Sequence, residues 1–416
     1  MKTIAIIESC DTKYKEVAFM REFIEKEKIG VIVINTATGT TPSYNYDISR
    51  EEILLESGVK WEDIETLTKN EKMRHMTEAT ANLVEKLYKE NKIDAVLSVG
   101  GLQNTIMATT AMQRLPIGFP KVMATTIASG QRKFESVVGN KDIVVIPSIC
   151  DFTGLNIVTR QIISNACACC VGMVKHAGNV LEKEKKLVVA VSLMGITNNG
   201  ACSAIEELER LGIEVIGFHT TGVGGTIMEN MAEDRLVDGI LDFTIHEITS
   251  GYFGGGFSYN KASIGRLSRS TAIHVPLVVC LGGLDFIDFA TSEFPSRMDE
   301  RVFMLHNDTT AHIKILPDEA REVAQIVIKR LENVDYHIRL LVPTNGMHHN
   351  SRKDLELYCK EVDNILIDTI SSHVNENVEV TVIPGNMDEK QWGIQAAHHM
   401  LDELKYHNKI RKDLVY

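Results

Sequence analysis

The stretch FHTTGVGGTIMEN, residues 218–230, places a histidine and a glutamate around three glycines, Gly222, Gly224 and Gly225, and three threonines. Bare glycine backbone lets main-chain N–H groups close on an anion. A neutral histidine beside it can pass a proton or ligate a metal. His219 is therefore a candidate for proton transfer or anion donation, and Glu229 for orienting a substrate or a Mg²⁺ ion. Glu247, Asp285 and His306 fall at comparable places, as do His348 and His349. Each of these side chains could equally be a helix cap, a surface charge or a satisfied core group.

The N-terminal half offers a second set. Asp11 and Thr12 follow the first apolar run, and Gly100 and Gly101 make a turn from which Asn104 or Thr105 opens a helix. A helix start with free N–H groups attracts phosphate. Thr125, Thr126, Ser129 and Gly130 add hydroxyl and amide donors, and Asp151, Thr153 and Gly154 form a further polar turn. None of these is a Walker A or a GxGxxG motif, and Asp11 and Thr12 could simply cap a helix. Several such loops at one sheet edge suit a nucleotide's phosphates and sugar. GYFGGGF, residues 251–257, reads instead as a mobile loop, because no strand leads into it.

The elements that must position these residues are short apolar runs alternating with amphipathic patterns. Strands are expected at Ile4–Ile7, Val31–Ile34, DAVLSV, KVMATT and DIVVIPS, and again at KLVVAVSL, Glu214–Gly217, Ile240–Thr244, Leu277–Leu281, HIRLLV and VEVTVI. Helices are expected near Lys15–Lys28, Thr77–Glu90, Leu155–His176, Asn199–Leu211, Asp318–Leu331, Arg352–His373 and Glu389–Tyr406. Strands apolar on both faces indicate parallel sheets covered by helices. The charged string EKEKK marks a boundary. The predicted fold is α/β: two Rossmann-like domains, each a mostly parallel sheet flanked by helices, with a cleft between them. Residues 1–182 form the nucleotide-binding domain and 187–416 the domain with the HTTGVGG loop.

Composition narrows the function. The 416 residues carry a net charge of −12, and no Lys/Arg cluster stands out, so nucleic acid is not an expected partner. No run reaches the ~20 apolar residues that span a bilayer, and the apolar start is too short for a signal peptide. A cytoplasmic location without a membrane partner is expected. The eight cysteines are scattered, and Cys167 with Cys170 reads as core packing rather than a metal site. The adjacent pair His398 and His399 diverges on a helix and suits the surface.

DTKYKE near the start, AMQRLPIGFPKVMATTIASG, DFTGLN, FHTTGVGGTIME, LDFTIHEI, GGLDFIDF and HNDTT occur in that order along most of the chain. Together they resemble the ATP-binding family represented by the tomato mosaic virus resistance protein and its bacterial and fungal relatives. The resemblance implies ATP binding and self-association, as a homodimer or higher homo-oligomer; the acids Glu229, Glu247 and Asp285 add Mg²⁺ as a candidate cofactor. It places the nucleotide at Asp11, Thr12, Gly100, Gly101, Thr105, Thr126, Ser129 and Gly130. In the second domain His219, Gly222, Gly224, Gly225, Glu229, Glu247, Asp285, His306 and Asn307 match its signature. Gln103 and Asn104 stand where the family has a denser Gly-Ser-Gly-Gly run. The expected function is an ATP-binding enzyme acting on a small phosphorylated or anionic molecule. A non-catalytic ATP-dependent binding module and a sugar-nucleotide epimerase-like enzyme are the alternatives.

Overall fold

Runs such as TIAIIE and AVLSVG are apolar on both faces, which suits strands whose sheet is covered by helices on both sides. The computed structural model describes residues 1–39, 44–128, 135–176, 186–255 and 265–410. It divides into two compact units, Met1–Lys183 and Glu184–Tyr416. Each is an α/β unit on a parallel sheet.

The first sheet contains β1 (Thr3–Glu8), β2 (Gly30–Asn35), β3 (Ala95–Gly100), β4 (Lys121–Thr125) and β5 (Val144–Pro147) in the order β2-β1-β3-β4-β5. Every pairing is parallel. Alternation separates its two faces. Ala5 and Ile7 pack with Met107, Ala108 and Met112 of the helix Leu102–Gln113. Ile4 and Ile6 pack with Val17 and Met20 of the helix Cys10–Lys26, and with Ile163 and Cys167 of the helix Ile157–His176. That last helix is long and apolar enough to cross a membrane by length and composition. Its Ile163, Ala166, Cys167, Cys170 and Val171 nevertheless belong to the core of this unit, and burial pushes the Cys167 thiol up to about 12.

The second sheet contains β6 (Val188–Leu193), β7 (Glu214–His219), β8 (Gly239–Thr244), β9 (Leu277–Gly282), β13 (Ile338–Pro343) and β14 (Val378–Ile383). Its order is β14-β13-β9-β8-β6-β7, again all parallel. An antiparallel ribbon of β10 (Phe286–Ala290), β11 (Phe303–Asn307) and β12 (Thr310–Lys314), in the order β10-β12-β11, follows β9.

Both parallel sheets begin in the middle, step once to one side, then continue on the other. The order therefore reverses between β1 and β3 in the first unit and between β6 and β8 in the second. Ligand crevices of such sheets open beyond the carboxyl ends of the strands at that reversal.

Three helices differ from the sequence reading; that expected near Thr77–Glu90 begins at Lys69, where Thr68 and Glu71 form a capping box. The helix expected near Lys15–Lys28 begins at Cys10, with Ser9 as its extended N-cap residue. The helix expected from Arg352 begins only at Lys360, after a turn in which Asp354 takes a left-handed φ of 71°. The ribbon is absent from the sequence reading, although FIDFA and TAHIK are short strands bounded by turns.

Candidate functional site

At the first reversal β1 ends in Glu8 and β3 in Gly100. Glu8 is fully buried. Its Oε1 accepts from Val99 N at 2.6 Å and Ser98 Oγ at 3.3 Å, and its Oε2 from Asn104 Nδ2 at 3.0 Å. Burial pushes this carboxyl up to about 8, against the pull of the Val99 N–H. Gly100 takes a φ of 156°, and a Cβ there would meet Cβ of Asn104 at 3.0 Å. A Cβ on Gly101 would meet only Thr126 Oγ1 at 3.7 Å, so the main chain is bare at that point.

Two helices start at this edge, Cys10–Lys26 and Leu102–Gln113; neither N-cap residue makes a side-chain cap hydrogen bond, and in the first Asn35 Oδ1 accepts from Cys10 N at 3.2 Å. Beside them Asp11 Oδ1 and Asn104 Oδ1 are buried without a hydrogen-bond partner. Thr105 is tied to the fold, donating to Gly101 O at 2.8 Å and standing 2.6 Å from Thr125 Oγ1. Thr12 is exposed, its hydroxyl 3.5 Å from Ser9 O. Thr126 opens a short 3₁₀ turn after β4. Ser129 and Gly130 lie outside the described residues, as do the last two residues of GYFGGGF. Asp151 accepts from Phe152 N at 2.9 Å, and Gly154 donates to buried Glu16 at 2.9 Å.

In the second unit the glycine-rich loop after β7 closes on an anion, and that anion is Glu247. Its Oε1 accepts from Gly222 N at 2.9 Å and Gly225 N at 3.4 Å, and Arg266 Nε donates to its Oε2 at 2.8 Å. Gly222 takes a φ of 135°, and a Cβ on Gly224 would stand 2.0 Å from His219 O. Arg266 also bonds Glu229 Oε1 at 2.6 Å and Asp242 Oδ1 at 2.6 Å. The four side chains are buried. Burial opposes the guanidinium charge, but Asp242, Glu229 and Glu247 hold its pKa well above the ordinary value. Burial also pushes Glu229 up, with Arg266 opposing. Thus Glu229 and Glu247 come together with the glycine loop, whereas His219 stays exposed with its Nδ1 3.1 Å from Thr221 Oγ1.

Asp285 belongs to a different group beyond β9. His348 Nε2 lies 3.0 Å from its Oδ2, and Lys314 Nζ bonds the same oxygen at 2.5 Å and Asp363 Oδ1 at 2.7 Å. Burial would raise the Asp285 carboxyl, but His348 and Lys314 hold it well below the carboxylate range. Its Oδ1 is buried without a partner. Burial pushes Asp363 up to about 7 and lowers His348.

Around the neighbouring Phe286 stand three imidazoles: His246 stacked at 4.1 Å, His312 at 5.0 Å and His348 at 5.1 Å between ring centroids. Asp288 bridges two of them, with Oδ2 3.2 Å from His246 Nε2 and Oδ1 2.5 Å from His312 Nδ1. Asp288 and His312 are cross-strand partners in the β10–β12 register. Burial opposes charge on His246, but the Asp288 carboxylate raises its pKa overall. His312 Nε2 is buried without a partner, and the exposed His306 ring lies 4.7 Å from the His312 ring. The rings of His306 and His312 thus lead from the surface to the buried His246–Asp288 pair. Asn307 is exposed and accepts from Thr309 N at 2.8 Å within its own turn.

Sequence reasoning missed Glu8, Arg266, Asp242, His246, Asp288, His312, Lys314 and Asp363. Glu8 ends an apolar strand and was legible as the first polar residue past it. Asp288 and His312 alternate with apolar neighbours, a period-two signal. Arg266 has no local signal, because its meaning lies in three acids distant in the chain. His348 packs inward while His349 Nδ1 reaches Asp388 Oδ2 at 3.1 Å. His398 is half-buried and reaches Glu207 Oε1 at 2.8 Å.

Two family models match this chain: the N-terminal domain of Uncharacterised protein family (UPF0261) over residues 2–179, and its C-terminal domain over residues 186–404. The chain belongs to the UPF0261 family. A UPF0261 protein of Clostridium tetani is 31% identical over 97% of this chain and 99% of its own length. The ToMV resistance protein Tm-1(GCR237) of Solanum lycopersicum is 27% identical over 95% of this chain. This chain spans 55% of that tomato protein's length. The resemblance drawn from DTKYKE through HNDTT is therefore one of family. Among solved structures, a UDP-GlcNAc 2-epimerase from Methanocaldococcus jannaschii aligns with 97% of this chain and 93% of its own. Its identity of 10% and TM-score of 0.22 carry no argument about activity.

Proposed function

We propose that this UPF0261 protein binds a nucleotide of the ATP type at the β1/β3 edge and is an enzyme acting on a small phosphorylated or anionic molecule. The observation that carries the reading is the pairing at that edge. The helix start at Leu102, whose N-cap residue Gly101 makes no side-chain cap, adjoins two buried oxygens without partners, Asp11 Oδ1 and Asn104 Oδ1. Helix N-termini favour phosphate. Mg²⁺ takes oxygen ligands, and Asp11 supplies a free carboxylate oxygen suited to it or to a ribose hydroxyl. The bare chain at Gly101 leaves room for the phosphate.

In this reading the acid–base work falls to the line His306, His312, Asp288 and His246, and Asp285 supplies a further oxygen. Imidazoles are the side chains most often used for general acid–base catalysis. The protein would act in the cytoplasm as a homodimer or larger homo-oligomer, without nucleic-acid or membrane partners.

A second reading is a non-catalytic ATP-dependent binding module. It is favoured by Glu229 and Glu247, whose carboxylates are committed to Arg266 and to main-chain N–H groups. Thermal melting with ATP, Mg²⁺–ATP and ADP tests both readings. Ligand at 100 times its dissociation constant adds about 2.7 kcal/mol, and an unchanged melting curve sinks nucleotide binding. Phosphorus NMR of the ATP during long incubation with sugar acids then separates the two, because turnover belongs to the enzyme alone.

A further inference from the structure

At the amino-terminal edge of the second sheet, away from the carboxyl ends described above, two imidazoles converge on one carboxylate oxygen. His337 immediately precedes β13, and Glu403 and His407 lie one turn apart at the end of the helix Lys390–Tyr406. His337 Nδ1 is 3.0 Å from Glu403 Oε1. His407 Nε2 is 3.0 Å from that same oxygen and 3.0 Å from the main-chain oxygen of His337. One ligand atom from each of the three residues lies within 4.8 Å of the others.

We infer that His337, Glu403 and His407 form a binding site for one divalent transition-metal ion of the zinc type. Spacing is the first argument. Tetrahedral zinc with bonds of ~2.0–2.2 Å sets its ligand atoms roughly 3.3 Å apart. Two of the three edges here are already 3.0 Å, so a small opening of the trio admits the ion without moving the backbone.

The outer ring of partners is the second argument. Metal-bound histidines pass their other ring N–H to a carboxylate. His337 does this, with Nε2 3.0 Å from Glu379 Oε2. Arg339 clamps both carboxylates, donating to Glu403 Oε2 at 3.0 Å and Glu379 Oε1 at 2.9 Å. Tyr406 stacks on the His337 ring at 4.1 Å and fixes its plane.

Charge is the third. With neutral imidazoles, two carboxylates and one guanidinium leave the group at −1, at the carboxyl end of a helix, which favours a cation. Glu403 is fully buried, while the two imidazole side chains keep 18% and 19% of their surface exposed, so an ion has an approach. Zinc takes a bare ring nitrogen from each imidazole, so any proton shared between a ring nitrogen and Glu403 leaves as the ion enters. The main-chain oxygen of His337 or a water completes the coordination. This site is independent of the proposed nucleotide and acid–base reading.

The test uses the full chain free of tag histidines and stripped with chelator. Zn²⁺ is titrated by calorimetry and Co²⁺ by visible absorption. The expected result is one tight equivalent, with tetrahedral Co²⁺ bands that lack the thiolate charge-transfer feature a cysteine site would give. His337→Ala and His407→Ala should each lose that equivalent, and exposed His373→Ala should retain it. Glu379→Gln keeps all three ligands and should weaken binding by about 10-fold. No stoichiometric uptake by the parent chain, or unchanged affinity in Glu379→Gln and in both alanine variants, would make the trio a hydrogen-bonded brace and overturn the proposal.

Discussion

A Cβ placed on Gly225 would stand 1.8 Å from Nε of Arg266, the cation that joins Asp242, Glu229 and Glu247. The missing side chain at 225 is the space the guanidinium fills. Gly225→Ala must displace Arg266 from at least one partner, and a broken buried pair costs about 3–5 kcal/mol. A urea melt of this variant should therefore show a large loss. Gly195→Ala, where nothing lies within 4 Å of the added Cβ, should show a change near zero. Equal midpoints for the two variants would refute the packing argument.

Removing the cation itself should reveal a pH signature. Arg266→Met removes the cation the buried carboxylates share, and Glu229, raised by burial against the pull of Arg266, then stands further above its unfolded value of about 4.3. Such a group contributes stability below that unfolded value and loses it as pH rises through the folded value. The stability gap between the parent and the variant should thus widen from pH 5 to pH 8. A gap that does not vary with pH would contradict this account.

Glu8 carries a similar dependence in the parent chain. Its folded carboxyl is raised to about 8 from 4.5. Its contribution is full below pH 4.5 and declines as pH climbs toward 8, by a few kcal/mol in order of magnitude. Glu8→Gln removes the titration and should flatten the profile across that window. With Trp392→Phe as background, Trp61 is the remaining tryptophan and reports on the first unit alone. Parallel pH profiles with and without the Glu8→Gln change would count against a protonated Glu8.

The His246–Asp288 pair titrates in the same sense. Burial alone would lower His246, and Asp288 more than restores it. A histidine raised above 6.5 contributes stability at low pH and loses it as pH rises through the folded value. Asp288→Asn should lower the His246 pKa, read by NMR of the ring carbons, and its stability deficit should be larger at pH 5.5 than at pH 8. An unchanged His246 titration would remove Asp288 from the role given to it here.

Much of the architecture was written in local pattern. Val188–Leu193 and Leu277–Gly282 are apolar on both faces, and that alone places them inside a parallel sheet. The site was legible only in part. Asp285 could be named because it follows β9, and His306 because the stretch HNDTT stands out, although His306 lies within β11. The glycine loop was legible as bare main chain that something approaches closely, but its occupant, Glu247, lies in the first turn of the helix His246–Phe253 after β8. Arg266 and Lys314 were invisible because each is defined by acids distant in the chain. Local periodicity reports burial, whereas a charge network is set by which strands become neighbours.

The ribbon of β10, β11 and β12 also acts as a ruler. Extra residues in the connection 291–302 would leave the Asp288–His312 spacing untouched, since the ladder between those strands sets it. One residue inserted within β12 ahead of His312 would turn that imidazole to the opposite face and sever the line of histidines, even if every hydrophobic layer stayed intact.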